Sequence, residues 1–358
     1  EVCDKIVEDA VNGTYYDAKV VPMFHDNQYF LFVHVIYKDV RLVGAPPSSM
    51  GKFGGDTDNW MWPRQTCDFS MFRIYANPDG SPAEYNSSNV PLKPKYHLPI
   101  SIGEINNGDF AMVMGFPGST DRFVTSYGLK ETMEVTNTLI HELRDIKINI
   151  LREEMQLSQS TRIKYDSKYA NCSNYWKYAY EQNKALEALN TMQVKRDIEK
   201  DYRQWAKDQQ PKYLNALRLL SDSYEKSRPY EIARLYAAEG LLTGPELPLE
   251  ALRLNTMLER TMGIEDYDTR MQNLEILKIE GAQFYKDYEP SVERRLMKEY
   301  FAHVRANMDR HYLPSFLANL GTKKSALGKR IKTEEQLADY IMDNSIFATQ
   351  ATFEEFLK

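Results

Sequence analysis

Two different patterns of hydrophobic and polar positions divide the chain. Up to about residue 120, apolar side chains occur in short runs between turns rich in glycine and proline, which is typical of strands. After that, apolar residues recur every three or four positions in long charged segments, which is typical of amphipathic helices. The patterns predict an α+β protein with a β-rich part at residues 1–120 and an all-helical part at residues 121–358.

The first part contains four predicted strands and one predicted helix. Because no helical period separates the strands, we expect them to pair antiparallel, as in a barrel or sandwich. The predicted helix is Val2–Val11, and the predicted strands are Tyr29–Tyr37, Arg41–Val43, Phe69–Tyr75 and Phe110–Gly115.

The second part opens with an apolar stripe at helical spacing. Its members are Val135, Leu139, Leu143, Ile146 and Ile150. Further helices are predicted over Asn183–Gln209, Lys212–Leu242, Arg253–Met262 and Val292–Ala318, the last interrupted by Pro314.

Composition excludes several classes of function. The 358 residues are 42% hydrophobic, with a mean hydropathy of -0.56 and a formal net charge of -6, so a general nucleic-acid binder with a basic surface is not expected. No apolar run approaches the roughly 20 residues of a membrane span. Three scattered cysteines and six histidines without zinc-type spacing predict neither a metal site nor another cofactor.

The segment from Gly54 to Ser70 is the most unusual part of the sequence. It holds two glycines, three acids and two tryptophans directly before a predicted strand. Exposing two tryptophans is unfavourable, so we expect this loop to be packed into a site. Asp68, where the loop meets the strand, would be desolvated and placed to orient a histidine. The alternative is that Asp68 only caps the turn and both tryptophans belong to the core.

Two other segments have ordinary structural interpretations. Residues 115–120 lack the lysine of a phosphate-binding loop and a Gly-x-Ser-x-Gly elbow, so we interpret them as a tight turn between the two parts. The cluster Ser173-Asn174-Tyr175-Trp176-Lys177 is interpreted, from its residues alone, as helix packing with an asparagine cap.

The segment from Gly54 to Ser70 closely resembles a segment of the bacterial serine dipeptidyl-peptidases typified by dipeptidyl-peptidases 7 and 11. The resemblance implies that Asp68 is the acid of a Ser-His-Asp triad and that Asn59 and Trp60 line the site for the substrate's N-terminal amine. Asn174, in a similar Asn-Tyr-Trp-Lys segment, would be the second amide of that site. Arg64 belongs to the motif without an assigned role, and Cys67 replaces a residue that is often glycine in the family.

The family also implies a fold and a location. Its members have a chymotrypsin-like double β-barrel with a large helical domain inserted, use no metal or organic cofactor, and act in the periplasm or at the cell surface. The triad histidine and serine of the family have no counterpart here, so we expect a middle fragment of a longer protein. Whether the residue before the cleaved bond is acidic or hydrophobic, and whether the protein is a homodimer, stay open.

Two hypotheses of function follow. In the first, the parent protein is a serine exopeptidase that releases dipeptides from peptides with a free N-terminus. In the second, the chain is a non-catalytic module that binds peptides or a protein partner through its β-domain and helical arm. A Gly-x-Ser-Gly segment in a longer sequence would favour the first.

Overall fold

The computed structural model describes residues 1–24, 26–51, 53–55, 66–112, 120–325, 327 and 330–358. The chain divides into two compact units, Glu1–Phe116 and Pro117–Lys358. The described strands lie in the first unit and pair antiparallel, whereas the second unit is helical. The predicted α+β class is therefore confirmed.

In the described part of the first unit there are two small antiparallel sheets and two helices. In one sheet, β1 pairs with β2 so that Asp17 lies opposite His34 and Met23 opposite Gln28. The other sheet has the order β3-β4-β5, with an irregularity in register between Leu42 and Gly44. The elements are α1 Val2–Val11, β1 Asp17–Met23, β2 Gln28–His34, β3 Asp39–Gly44, α2 Ser48–Gly51, β4 Met71–Ala76 and β5 Val90–Pro91.

Helix Val2–Val11 is confirmed, and three of the four predicted strands are confirmed with shifted ends, as β2, β3 and β4. The fourth, Phe110–Gly115, is wrong over residues 110–112, which form no strand, and its remainder lies outside the described residues, as do residues 115–119 of the predicted turn. Strand β1 was not predicted, because Pro22 interrupts its apolar pattern. Among the described residues a closed barrel is not confirmed.

A buried ionic contact fixes the second sheet. Asp39 is 1% exposed and accepts hydrogen bonds from Arg41 Nε at 2.9 Å and Nη2 at 2.7 Å, and from Asn89 Nδ2 at 2.8 Å. The Arg41 guanidinium also lies 3.7 Å from the centre of the Tyr75 ring on β4. These bonds, chiefly those from Arg41, lower the pKa of Asp39 to about 2. The carboxylate therefore remains ionised and links β3 to the β5 region.

The second unit consists of helices joined by short connections. Its α-helices are α3 Ser126–Glu131, α4 Asn137–Leu157, α5 Gln159–Ala188, α6 Thr191–Gln209, α7 Ala216–Leu235, α8 Leu247–Met262, α9 Tyr267–Lys286, α10 Pro290–Asn307, α11 Ser315–Ala318, α12 Glu334–Asn344 and α13 Gln350–Phe356. Two π-helical turns, Thr132–Thr136 and Tyr236–Leu242, precede α4 and follow α7, and Pro211–Tyr213 is a 3₁₀ turn.

The predicted stripe on α4 is confirmed as the centre of the helical core. Four of its five members are buried and Ile146 packs against them at the edge. This face of α4 meets α5 and α10, and α10 contributes Leu296, Tyr300 and Val304 to the same core. Burial of such side chains stabilises the unit by roughly 1.5–3 kcal/mol each.

Several helix boundaries differ from the predicted ones. The segment Asn183–Gln209 is two helices, because Asn190 adopts a left-handed conformation (φ 48°) between α5 and α6. The segment Lys212–Leu242 is divided into a 3₁₀ turn, α7 and a π-helical turn. The helix predicted at Arg253–Met262 begins earlier, at Leu247, and Val292–Ala318 is interrupted between α10 and α11.

None of the helices in the described part of the chain combines the length and apolar character that crossing a membrane needs.

We predict that Gly281→Ala destabilises the helical unit. A methyl group at Gly281 in α9 would lie 2.6 Å from Cε1 of the buried Phe353. Such overpacking costs about 1–3 kcal/mol, which exceeds the roughly 1 kcal/mol that alanine gains in helix propensity. Urea unfolding followed by far-UV circular dichroism measures the difference.

Gly263→Ala is the matched control. Gly263 follows α8 with an ordinary φ of -77°, and its nearest neighbouring atom would be 3.5 Å from the new methyl group. We expect this variant to unfold at the same urea concentration as the parent or slightly above it. Equal unfolding curves for both variants would show that the Gly281–Phe353 contact does not limit packing.

Candidate functional site

Asp68 lies in the first unit, in the segment between α2 and β4. The backbone N–H of its neighbour Cys67 donates to the Met50 carbonyl at 3.3 Å, which ties this segment to α2. Asp68 is exposed, as is Cys67. In the described structure Asp68 is therefore not desolvated, and it lies three residues before β4 begins, not directly at the start of the strand.

Asn59, Trp60 and Arg64, the other residues of the motif, lie outside the described residues. Asp68 belongs to the first unit and Asn174 to the second, and each is described within its own unit. That Asp68, Asn59, Trp60 and Asn174 share one opening stays a prediction.

Asn174 lies in the middle of α5, a helix of 30 residues, and is half-buried. The interpretation of this asparagine as a helix cap is therefore wrong. The helix continues through it because α5 packs along α4 over much of its length, which outweighs the low helix propensity of asparagine. Ser173 and Cys172 face the interior, whereas Tyr175 is exposed, so Asn174 lies at the boundary between buried and solvent-facing sides.

The part of α5 around Asn174 is fixed by contacts with α4. The His141 ring stacks on Trp176 with 4.7 Å between centres and on Tyr180 with 5.2 Å. Further along, Asn137 Nδ2 donates to Gln182 Oε1 at 2.8 Å and to Asn183 Oδ1 at 2.7 Å. These contacts hold the helix in register, so a side chain at Asn174 has a defined position within the helical unit.

A charged cavity of about 190 Å³ adjoins the same helix. It is lined from α5 by Lys168, Asn171, Cys172 and Tyr175, and from the other side by Arg144 and Glu239, among others. Arg144 Nη2 lies 3.0 Å from Glu239 Oε2, and its guanidinium is 4.9 Å from the centre of the Tyr175 ring. Burial raises the pKa of the Cys172 thiol, so this cysteine is not an activated nucleophile.

Glu246 and the buried Glu293 continue this charged network. Lys168 Nζ donates to Glu246 Oε2 at 2.6 Å, and the backbone N–H of Glu246 donates to Glu293 Oε2 at 2.9 Å. The N–H of Leu247 donates to Glu293 Oε1 at 2.8 Å. Glu293, which is fully buried, thus caps the beginning of α8 from another helix.

Desolvation raises the pKa of Glu293 to about 7, and the negative charge of Glu246 raises it further. The two backbone N–H groups and Lys147 lower this pKa, but by less. Glu293 is not among the site residues predicted from the sequence. The available signal was a glutamate at a stripe position of α10, among Val292, Leu296 and Tyr300. A charge inside an apolar stripe indicates a buried, hydrogen-bonded group.

The described residues contain no group of three or more histidine, cysteine, aspartate or glutamate side chains placed to hold a metal ion. What the described geometry provides in the second unit is Asn174 on a helix held against α4, and a polar, charge-lined cavity to which the same helix contributes Asn171 and Tyr175. Such an arrangement is suited to binding a polar group.

Comparison with known proteins identifies the family. The family described as Peptidase S46 matches residues 1–358. The chain belongs to the Peptidase S46 family. The resemblance based on the segment from Gly54 to Ser70 is thereby confirmed at the level of family.

Individual relatives agree with this assignment. Dipeptidyl-peptidase 7 of Phocaeicola vulgatus is 39% identical over 343 residues, which cover 95% of this chain and 47% of the relative. An Asp/Glu-specific dipeptidyl-peptidase of Flavobacterium psychrophilum is 36% identical over 340 residues, covering 94% of this chain and 47% of the relative. The chain therefore spans about half the length of the curated relatives that it matches.

Solved structures of a relative are similar to the whole chain. Porphyromonas endodontalis DPP11 in complex with the dipeptide Arg-Asp matches with a TM-score of 0.79 at 31% identity, covering 99% of this chain and 50% of that one. The same protein in an alternate conformation matches with a TM-score of 0.60 at 27% identity. The two conformations of that relative thus differ in their likeness to this chain.

We predict that Glu293 makes the stability of the chain depend on pH. A carboxyl whose pKa rises from 4.5 in the unfolded chain to about 7 in the folded one binds its proton more tightly when folded. It contributes stability below pH 4.5, and this contribution is lost as the pH rises toward 7. Relative to Glu293→Gln, the parent should lose up to about 1.4 kcal/mol per pH unit in this window, measured by urea unfolding.

Glu265→Gln is the control, because Glu265 is exposed and outside this network. Its stability should run parallel to that of the parent at every pH. If Glu293→Gln also runs parallel to the parent, Glu293 does not change its protonation in this range.

Proposed function

We propose that the protein containing this chain is a serine-type dipeptidyl-peptidase, which releases dipeptides from the free N-terminus of oligopeptides. The observation that carries the proposal is the match of the whole chain to a peptidase family, with relatives named dipeptidyl-peptidases. Binding of a dipeptide by the related DPP11 agrees with a substrate of this kind.

In the proposed mechanism, Asp68 is the acid of the triad. Its carboxylate would accept a hydrogen bond from Nδ1–H of a histidine, fix the tautomer of that ring and stabilise the imidazolium formed when the ring takes the proton of the serine. The histidine and the serine would come from the length of the relatives that these 358 residues do not span. The chain by itself is then expected to be inactive.

The proposal assigns recognition of the substrate's amine to two asparagines. Side-chain oxygens of Asn59 and Asn174 would accept hydrogen bonds from the ammonium group, and the indole of Trp60 would exclude water and longer N-terminal extensions. The rigid position of Asn174 on α5 supports its part in this, because an ammonium must be held at a fixed distance from the cleaved bond. With one amide in each unit, closure would depend on the substrate.

The proposal also assigns the first unit to a chymotrypsin-like barrel and the second to a helical cap. Large apolar side chains are exposed on the strands of both small sheets, and such surface is unfavourable in water. They include Phe30, Leu31 and Val33 on β2, Leu42 and Val43 on β3, and Met71 and Phe72 on β4. Further strands of a double barrel would cover them. By the same resemblance, we place the protein in the periplasm or at the cell surface.

We predict that Asp68→Asn lowers the turnover of the full-length protein by something like 10⁴-fold, because the histidine would be held in the wrong tautomer. Hydrolysis of a chromogenic dipeptidyl substrate measures the change. Asp9→Asn, an exposed substitution on α1, is the control and should leave turnover unchanged. Full activity of the Asp68→Asn protein would exclude Asp68 as the acid.

Asn174→Ala should instead weaken productive binding, by roughly 1–3 kcal/mol for a lost partner of a buried charge. The expected change is a higher KM, with the Glu187→Ala protein, changed at an exposed position of the same helix, as the control. The N-acetylated substrate, which lacks the ammonium, should be hydrolysed far more slowly than the free dipeptide form. Equal hydrolysis of both would contradict an exopeptidase and favour an endopeptidase, whereas hydrolysis of neither would favour a non-catalytic peptide-binding function.

A further inference from the structure

A second polar cavity lies in the helical unit, lined by neither Asp68 nor Asn174. It has a volume of about 420 Å³ and is formed where one face each of α3, α6 and α7 converge. This volume lies in the range of small-molecule sites, about 300–1,000 Å³. Its polar lining includes Glu131 and Lys130 from α3, Arg196 from α6, and Tyr224 and Arg228 from α7.

The walls of this three-helix cavity are held in place by close contacts. Ser126, at the beginning of α3, donates through its backbone N–H to Glu199 Oε1 at 2.6 Å and through Oγ to Glu199 Oε2 at 2.8 Å. Across the cavity, Tyr224 packs so tightly on Gly128 that a methyl group there would be 2.5 Å from its hydroxyl oxygen. These contacts fix the α3 backbone and the Tyr224 ring beside the cavity, whereas the Glu131 side chain has to turn to bring its Oε2 within reach of a ligand.

Glu131 differs from the buried glutamates of the same unit. Both carboxylate oxygens of Glu199 accept hydrogen bonds, as do both of Glu293. By contrast, Glu131 Oε2 is shielded from water and has no hydrogen-bond partner among the described residues. Desolvation raises the pKa of Glu131, the nearby Glu231 adds to this, and Arg228 opposes it. A shielded carboxylate of this kind is stabilised when a donor is supplied.

Besides Glu131, the charged residues around the cavity are three cations, Lys130, Arg196 and Arg228, and one further acid, Glu225. Lys130 Nζ and Arg228 Nη2 share one carboxylate, Glu134, at 3.9 Å and 3.0 Å. Arg196 has no ion pair among the described residues and is exposed at the rim. A ligand that satisfies both features carries a cationic donor for Glu131 and an anionic group for the arginines.

We propose that the three-helix cavity binds a small zwitterionic peptide of dipeptide size, with its ammonium on Glu131 and its carboxylate on Arg196 and Arg228. A phosphate or another purely anionic ligand would bring negative charge against Glu131 and Glu225, which also lines the cavity. An apolar ligand would leave the Glu131 carboxylate without a donor. This site goes beyond the proposed catalytic function, because it uses different residues. Free dipeptides would bind there, away from the proposed substrate site.

Isothermal titration calorimetry of the 358-residue chain tests this site with three probes: Ala-Ala, N-acetyl-Ala-Ala and Ala-Ala amide. We expect saturable binding of Ala-Ala and at least tenfold weaker binding of the two blocked forms, because each lacks one charge. Glu131→Gln should weaken binding of Ala-Ala at least tenfold, whereas Glu265→Gln should not change it. Equal binding by the Glu131→Gln and Glu265→Gln proteins would overturn the proposal.

Two further variants, Arg196→Ala and Asn174→Ala, distinguish binding at the three-helix cavity from binding at the proposed substrate site. Arg196→Ala changes an exposed side chain, so it tests the cavity even if Glu131→Gln does not fold. We expect it to weaken binding of Ala-Ala severalfold. Arg310→Ala, at another exposed arginine, is the control and should not change binding. Asn174→Ala should leave binding at the three-helix cavity unchanged. If Asn174→Ala abolishes binding while Glu131→Gln and Arg196→Ala do not, the peptide occupies the proposed substrate site and the cavity inference is wrong. Failure of catalysis in the full-length protein would leave these binding results unaffected.

Discussion

The helical unit depends on the place where Tyr300 of α10 crosses α4. Tyr300 is 1% exposed, and its hydroxyl donates to the Leu143 carbonyl at 2.7 Å, so the polar end of a large buried ring is satisfied inside the core. The chain passes directly over this ring at Gly244, where a methyl group would lie 2.6 Å from Tyr300 Cζ, and close to α10 at Gly240, where it would lie 2.8 Å from Val304 Cγ2. These close contacts fix the path of the chain from residue 236 to residue 247. They therefore also hold Glu239 in its ion pair with Arg144 and Glu246 in its ion pair with Lys168.

Buried carboxylates then orient two of the helices. Glu199 of α6 binds the first N–H group of α3, and Glu293 of α10 binds N–H groups at the beginning of α8. In each case an acid from a distant helix satisfies N–H groups that a helix cannot satisfy itself, and its negative charge faces the positive end of the helix dipole. The hydrogen bonds offset part of the cost of burying the acid, and at Glu293 desolvation still outweighs them, since the pKa of this carboxyl is raised to about 7. Glu131 differs from these two acids, because its shielded Oε2 has no hydrogen-bond partner among the described residues.

The sequence predicted those features in which local pattern and tertiary packing agree. The stripe from Val135 to Ile150 defined the buried face of α4, because its five members carry the helical period without interruption. The break at Asn190 could not be predicted, since helix-forming residues continue on both sides and a left-handed asparagine is a choice made by the surrounding packing. The prediction of Asn174 as a helix cap was wrong because the packing of α5 on α4 outweighs the low helix propensity of asparagine. Glu293 could have been noticed in its stripe, but its partners lie 46 residues or more earlier in the chain.

For the site proposed in the first unit, local pattern and tertiary packing predicted less than the resemblance to a family did. The role proposed for Asp68 came from the resemblance carried by the uncommon residues around it, and physical reasoning alone left it as a turn residue. Its exposure conflicts with a triad acid, which works in a water-excluded place. The neighbouring Phe69, Met71 and Phe72 are also exposed, at 55%, 52% and 60%. Met71 and Phe72 are adjacent in β4 and therefore point to opposite faces of the sheet, so under the proposed function protein on both faces would bury these side chains and desolvate Asp68. Completion of the barrel and activation of the acid would then be one event, driven mainly by burial of the apolar strands.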